Sequence, residues 1–143
     1  MASIPDLQPR CYVFDTSSLI QIERSIGLLR LPDYPGKWFV VPSKVAKQLN
    51  SEGAPKGTKK WLNNGKLATF SGNSEGALYM RICVQQRLLE DPDVQGIVIA
   101  YHRKGTYVVE EELATRVARR LGVRTINTEQ FLEEVLPHLP GFG

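Results

Sequence analysis

The chain has 143 residues, about the length of one domain by the usual prior of roughly 100–200 residues. Hydrophobic residues make up 42% and charged residues 23%, a balance that excludes a disordered chain. The apolar runs fall far short of the roughly 18 residues that a membrane span needs, and the N-terminus lacks a signal-peptide pattern. We therefore expect one cytoplasmic domain over residues 1–143, with no membrane partner and a frayed tail from about residue 137.

Short apolar runs alternate with amphipathic segments of helix length, a pattern typical of βα units around a mostly parallel sheet. The predicted strands are Cys11–Asp15, Trp38–Val41, Leu67–Phe70, Thr106–Val109 and Val123–Ile126. The predicted helices cover about 18–29, 43–51, 58–63, 75–89, 94–103, 113–121 and 128–136. The sequence thus predicts an α/β fold with about five short strands.

Two of these helices carry a capping-box pattern at their start. Ser18 pairs with Gln21 in the first predicted helix, and Asn127 pairs with Gln130 in the last one. This assignment leaves Asp15 between the first strand and the first helix, just outside the helix start.

Positive charge is concentrated in the first half of the chain. Residues 1–70 carry ten Lys and Arg against five Asp and Glu, whereas residues 71–143 carry eight against ten. The lysines that we expect to contact a nucleic-acid backbone are Lys44, Lys47, Lys56, Lys59 and Lys60. Clustered lysines attract phosphates, although a solvated lysine-rich surface explains the same pattern.

Acidic residues stand where predicted strands end or helices begin. Asp15 follows the first strand, residues 110–112 are three glutamates after the fourth strand, and Asp91 and Asp93 start a helix. Ligands of open α/β sheets bind beyond the carboxyl ends of the strands. Each acid alone is also explained as a turn or capping residue. Several carboxylates converging on one edge, however, require a divalent cation or raised pKa values.

Three segments resemble the PIN domain family. "YVFDTSSLI" is similar to its opening, in which an apolar strand delivers an aspartate followed by a small polar residue and an aliphatic pair. "DVQGIVIAYHRKGTYVVEEE" resembles its second half, and "RRLGVRTINTEQFLEE" resembles its ending. The resemblance implies a three-layer α/β/α sandwich and a ribonuclease that uses Mg²⁺ or Mn²⁺ bound by acidic side chains.

Carried over residue by residue, the resemblance implies that Asp15, Asp93 and Glu111 are the catalytic metal ligands. Where the family usually has a second acid, a glutamate, this chain has Gln48. The residues that we expect to support the metal are Ser17, Gln48, Glu52, Glu110 and Asp91. Glu52 lies one helical turn beyond Gln48 and is a candidate to replace the missing acid through water.

Gln48, the glutamate at 111 and Val109 in place of the family's usual Thr or Ser are departures from the pattern. Two functions therefore stay open. The first is an endoribonuclease acting on RNA, such as the toxin of a toxin–antitoxin pair with an antitoxin protein as partner. The second is a catalytically degenerate module that binds RNA or a protein without cleavage.

A phospho-acceptor receiver domain is a weaker alternative, because the first strand ends in a single aspartate and no lysine follows a late strand. A homodimer is a further expectation. Apolar strips between residues 19 and 29, or between 78 and 89, are candidates for its interface, and core packing explains the same residues.

Overall fold

The computed structural model describes residues 11–28, 39–50, 66–68 and 72–138. The strands are β1 (Tyr12–Phe14), β2 (Phe39–Pro42), β3 (Lys66–Ala68), β4 (Thr106–Val108) and β5 (Arg124–Ile126). The helices are α1 (Thr16–Ser25), α2 (Ser43–Leu49), α3 (Asn73–Gln85), α4 (Asp91–Arg103), α5 (Glu112–Arg120) and α6 (Thr128–Val135). A 3₁₀ turn follows at Leu136–His138. The helix predicted at 58–63, the lysines at 56, 59 and 60, Glu52 and residues 139–143 lie outside the described residues.

The five strands form one sheet in the order β3-β2-β1-β4-β5, and every pair is parallel. This arrangement confirms the predicted α/β class. The chain adds β2 and β3 on one side of β1 and then crosses to add β4 and β5 on the other side. The order of the strands therefore reverses between β1 and β4, the kind of switch point at which such sheets bind ligands.

Side chains alternate along β1 because successive strand residues point to opposite faces of the sheet. Tyr12 and Phe14 pack in one buried cluster with α1, α2 and α6, whereas Val13 packs in a second cluster with α3, α4 and α5. The first cluster contains an aromatic group in which Phe131 lies edge-on to Tyr12 and Phe14, with ring centroids 5.0 and 5.1 Å apart. Helices thus cover both faces, giving three layers.

The helix starts confirm one predicted cap and correct another. Asn127 and Gln130 form the predicted capping box at the start of α6. The box predicted at Ser18 and Gln21 is wrong, because α1 already begins at Thr16 and Asp15 is its N-cap. The aspartate side chain satisfies a free N–H group of the first turn, which sets the helix start earlier than the serine would.

Two further helix bounds differ from the predicted ones. Helix α4 begins at Asp91 rather than Val94, since Pro92 in its first turn needs no hydrogen-bond partner for its nitrogen. Helix α3 ends at Gln85, and residues 86–90 form the turn that leads into α4. None of the helices in the described parts of the chain is long and apolar enough to cross a membrane.

Candidate metal centre

Asp15 lies at the carboxyl end of the central strand and has an almost fully buried side chain, 3% exposed. Its Oδ1 accepts a hydrogen bond from the backbone N–H of Ser18 over 2.7 Å. Its Oδ2 accepts one from the backbone N–H of Glu110 over 3.1 Å. Burial raises the pKa of this carboxyl above its ordinary value, although the hydrogen bonds from Ser18 and Glu110 oppose the shift. The site therefore contains a carboxyl group that is shielded from solvent at the switch point.

The end of β4 is tied to the start of α1 through the same residues. The backbone N–H of Asp15 donates to the carbonyl oxygen of Val108 over 3.0 Å. The hydroxyl of Ser18 donates to that carbonyl over 3.1 Å. Ser18 is fully buried. Ser17, the serine that we expected to support the metal, is exposed in the first turn of α1. The serine that supports Asp15 is thus Ser18.

Glu111 lies at the start of α5, three residues after the end of β4, the strand that pairs with β1. Its Oε1 accepts from the N–H of Leu113 over 2.9 Å, and its Oε2 accepts from the N–H of Ala114 over 2.6 Å. The carboxylate therefore acts as the helix N-cap. These bonds fix the orientation of the side chain while each carboxylate oxygen retains lone-pair capacity for another partner.

Asp93 completes the group from the first turn of α4. Burial is the main cause that raises its pKa to about 6, and the negative charges of Asp15, Glu111 and Glu90 add to the effect. The charges of Asp15 and Glu111 act on Asp93, so the three carboxylates lie near enough to interact electrostatically. The structure thus brings together Asp15, Asp93 and Glu111 from three separate elements.

Gln48 stands on α2, where the resemblance implies a fourth ligand. Its Oε1 accepts a hydrogen bond from the hydroxyl of Thr16, the residue after Asp15. The amide therefore faces the start of α1, adjacent in sequence to the buried carboxyl. An amide oxygen is a suitable ligand for a hard cation, but it adds no negative charge.

Gln95, two residues after Asp93, is a buried polar residue that the sequence analysis did not single out. It is 2% exposed, and its Oε1 accepts from the backbone N–H of Lys44 over 2.8 Å. Its Nε2 donates to the hydroxyl of Ser43 over 2.9 Å. Gln95 thus holds the start of α2, and with it Gln48, against α4.

The other predicted supporting acids are directed elsewhere. The Oε1 of Glu110 accepts from the N–H of Thr128 over 2.7 Å, which ties the strand end to α6. Asp91 is exposed and interacts with the Tyr79 hydroxyl, whose pKa is raised by burial and by this carboxylate. Glu52 lies outside the described residues. In the described part of the chain, the charges of Asp15, Glu111 and Glu90 raise the pKa of Asp93. The charge of Glu110 raises the pKa of Asp15 instead.

Two of the predicted basic residues are described, and both lie on α2. Lys47 is exposed, and the Nζ of Lys44 lies 5.9 Å from the centre of the Tyr79 ring. A cation at that distance interacts favourably with the ring face. Exposed arginines at positions 116, 119 and 120 add positive charge along α5.

The sequence analysis did not assign Ser18 or Gln95 to the site, for different reasons. The spacing of Asp15 and Ser18 is that of an N-cap and its third helical residue, so the sequence carries a signal for Ser18. Gln95 bonds residues 51 and 52 positions away in the chain. No local sequence pattern indicates a hydrogen-bond partner so far away in the chain. A buried glutamine inside the apolar run of α4 is nevertheless unusual.

The donor set fits a hard divalent cation. Carboxylate and amide oxygens are the ligands that Mg²⁺ and Mn²⁺ prefer, and a double positive charge would relieve the repulsion that raises the pKa of Asp93. Within the described ranges, no three His, Cys, Asp or Glu side chains stand close enough together to enclose a metal ion. Mg²⁺ usually keeps several waters and takes only one or two carboxylates directly.

A family model, DUF3368, described as a PIN domain, matches residues 11–134. The chain belongs to the PIN domain family. PIN domains are commonly nucleases that act on nucleic acid and generally use divalent metal ions. The family inferred from the sequence motifs is thereby confirmed.

One similar solved structure is a PilT N-terminus domain protein from the hyperthermophilic archaeon Sulfolobus solfataricus P2. It shares 19% sequence identity with a TM-score of 0.61, and the match covers 89% of this PIN domain and 94% of that chain. This likeness supports the fold alone. No curated protein sequence matches the chain.

Proposed function

We propose that this PIN domain is an endoribonuclease that depends on Mg²⁺ or Mn²⁺ held by Asp15, Asp93 and Glu111, directly or through water that the ion keeps. The observation that carries the proposal is that acidic side chains from three elements lie at the switch point of the sheet, near enough for Asp15 and Glu111 to raise the pKa of Asp93. Keeping carboxylates together without a cation costs folding free energy. Strongly shifted groups of this kind occur preferentially at functional sites.

Each side chain has a distinct task in this proposal. The backbone N–H groups of Ser18 and Glu110 orient Asp15, and those of Leu113 and Ala114 orient Glu111. Asp93 approaches from α4. A bound Mg²⁺ or Mn²⁺ would lower the pKa of its water and offset the charge that builds up on the phosphoryl oxygens.

The RNA backbone is proposed to lie along α2. Lys44 and Lys47 are described there, and Lys56, Lys59 and Lys60 follow in the sequence. Neutralising phosphates with lysines makes binding strongly dependent on salt. Binding that weakens as salt is raised therefore supports this assignment, and binding that is insensitive to salt contradicts it.

The proposal is tested by incubating the protein with a labelled mixture of structured and single-stranded RNA. We expect endonucleolytic products with Mn²⁺, loss of these products with EDTA, and their return when Mn²⁺ is added in excess. Asp93→Asn and Glu111→Gln should each reduce the rate by at least about 100-fold, because each removes charge from the metal site. Intact RNA with the wild type, across pH and both metals, overturns the proposal.

A second candidate is a module that binds RNA or a protein without cleaving it. The observation that favours it is Gln48, which replaces the family's usual glutamate and is hydrogen-bonded to Thr16. A site with one charge fewer binds cations more weakly. RNA binding that is unaffected by metal and by Asp93→Asn supports this second function.

The partners are part of the same proposal. We propose that the single domain acts in the cytoplasm, with an antitoxin protein as its inhibitor if it is the toxin of a pair. Homodimerisation is supported by exposed apolar side chains at Met80, Val84 and Leu88, which are 63%, 67% and 87% exposed. Val84→Lys should lower the mass seen by sedimentation if this face joins two copies.

A further inference from the structure

Tyr107, in the middle of β4, is one of the largest fully buried side chains in the described residues. Its ring packs in the core cluster that faces α3, α4 and α5. Its hydroxyl oxygen is buried and has no hydrogen-bond partner of normal geometry. A buried hydroxyl without a partner destabilises the fold relative to one that is hydrogen-bonded. Phenylalanine would fill the same space without this cost.

The space for this phenol is provided by a glycine in α4. A Cβ atom at Gly96 would lie 2.8 Å from Cε1 and 3.2 Å from the hydroxyl oxygen of Tyr107. Both distances are shorter than an ordinary carbon contact. The phenol therefore lies directly against the backbone of α4, at the position of Gly96.

Gly96 and Asp93 are three residues apart on α4 and consequently share one face of the helix. The Tyr107 hydroxyl is thereby directed to the part of the helix that carries Asp93. Burial and the charges of Asp15, Asp93 and Glu111 raise the pKa of the phenol, and a side-chain interaction with Asp93, short of normal hydrogen-bond geometry, adds to the shift. The hydroxyl thus lies within electrostatic reach of the three acids.

We propose that the Tyr107 hydroxyl is a positioning group for the metal centre, which donates a hydrogen bond to the carboxylate of Asp93 when that carboxylate binds a divalent cation. The inference rests on the proposed function and adds a residue to it. Carboxylates that bind metals are usually hydrogen-bonded in turn, and such bonds fix their orientation. In this proposal the core retains the hydroxyl because the hydroxyl gains its hydrogen-bond partner, Asp93, when the metal is bound.

The test is a comparison of Mn²⁺ affinity, measured by calorimetry, with the unfolding temperature of the metal-free protein. Tyr107→Phe removes one oxygen and keeps the ring. We expect Mn²⁺ to bind about 10- to 100-fold more weakly, the usual effect of losing a group that orients a metal ligand. The metal-free unfolding temperature should stay unchanged or rise, because the lost hydroxyl has no partner there.

Tyr12→Phe is the matched control. Tyr12 is also buried, but it packs in the other core cluster, and its hydroxyl donates to the Oε2 of Glu134 over 2.8 Å. We expect the opposite pattern, with unchanged Mn²⁺ affinity and a lower unfolding temperature. The pair therefore separates support of the metal site from the general effect of removing a buried hydroxyl.

The outcomes separate this inference from the proposed function. If the wild type binds Mn²⁺ and Tyr107→Phe binds it equally well, the positioning role is overturned while the metal site stands. If both Tyr→Phe variants weaken binding to the same degree, the effect is not specific and the positioning role is likewise overturned. If the wild type binds no Mn²⁺ at millimolar concentration, the proposed metal site and this inference fail together.

Discussion

Asp15 Oδ2 accepts a hydrogen bond from the backbone N–H of Glu110 over 3.1 Å, which joins the ends of the two strands where the sheet reverses its order. The other oxygen of the same carboxyl group caps α1. Asp15 therefore holds the local fold together and also contributes charge to the candidate metal centre. Replacing it affects both, whereas Asp93 offers a cleaner test of the charge alone.

Asp93→Asn should change how stability depends on pH. The pKa of Asp93 is about 6 in the folded protein and about 3.9 in an unfolded chain. The folded state therefore holds more protons between these values, and the free energy of unfolding falls as pH rises through this window. Urea unfolding from pH 4 to 7.5 should show the variant gaining roughly 1–2 kcal/mol over the wild type, after allowance for partial solvent screening.

Asp91→Asn is the control for this measurement, since Asp91 is an exposed carboxylate in the same first turn of α4. It separates the contribution of the acid cluster from that of any first-turn charge. A profile for Asp93→Asn that runs parallel to the wild type at every pH would contradict the charge coupling.

Gly96→Ala should destabilise the protein even though alanine favours helices. The new methyl group would lie 2.8 Å from Cε1 of Tyr107, and overpacking of this kind costs about 1–3 kcal/mol. Gly76→Ala in α3 is the matched control, because no atom lies within 4 Å of its Cβ position. There we expect a gain of up to about 1 kcal/mol from helix propensity. Equal effects in chemical denaturation would show that Gly96 makes no room for the phenol.

Gln95→Ala should lower the free energy of unfolding by about 1–3 kcal/mol, since it leaves the partly buried backbone N–H of Lys44 without its acceptor. Gln21→Ala, at an exposed position of α1, should change it by less than about 0.5 kcal/mol. Urea unfolding measures both. A Gln95→Ala variant as stable as Gln21→Ala would mean that the link between α4 and α2 contributes little.

Gln48→Glu should strengthen Mn²⁺ binding by about tenfold, equivalent to about 1.4 kcal/mol, because it adds a negative charge near the acid cluster. The glutamate can still accept the hydrogen bond from Thr16. Gln48→Leu, which offers no oxygen at the same position, should bind Mn²⁺ no better than the wild type. Calorimetric titration of the three proteins decides the matter, and equal affinities would place residue 48 outside the metal site.

Much of the fold could be predicted because its signals are local. The apolar run before Asp15 marks β1, and the capping box of Asn127 and Gln130 marks the start of α6. The start of α1 was placed too late because both Asp15 and Ser18 are good capping residues. The structure selects Asp15, whose carboxyl group is also held by the N–H of Glu110.

The site was only partly predictable. Acids at strand ends and helix starts could be inferred from spacing, and the resemblance to the PIN family implied Asp15, Asp93 and Glu111 as the set among them. Tyr107 of β4 packs against Gly96 of α4. The periodicity of neither segment indicates this contact, because the two residues belong to different elements. The link from Gln95 to α2 was hidden for the same reason.

The central claim is that the three acids bind a divalent cation, and Mn²⁺ titration by calorimetry tests it most directly. We expect saturable binding to the wild type, at least tenfold weaker binding to Asp93→Asn, and unchanged binding to Asp91→Asn. Heat signals that are the same for the wild type and Asp93→Asn, or that are absent from the wild type at millimolar Mn²⁺, would contradict it.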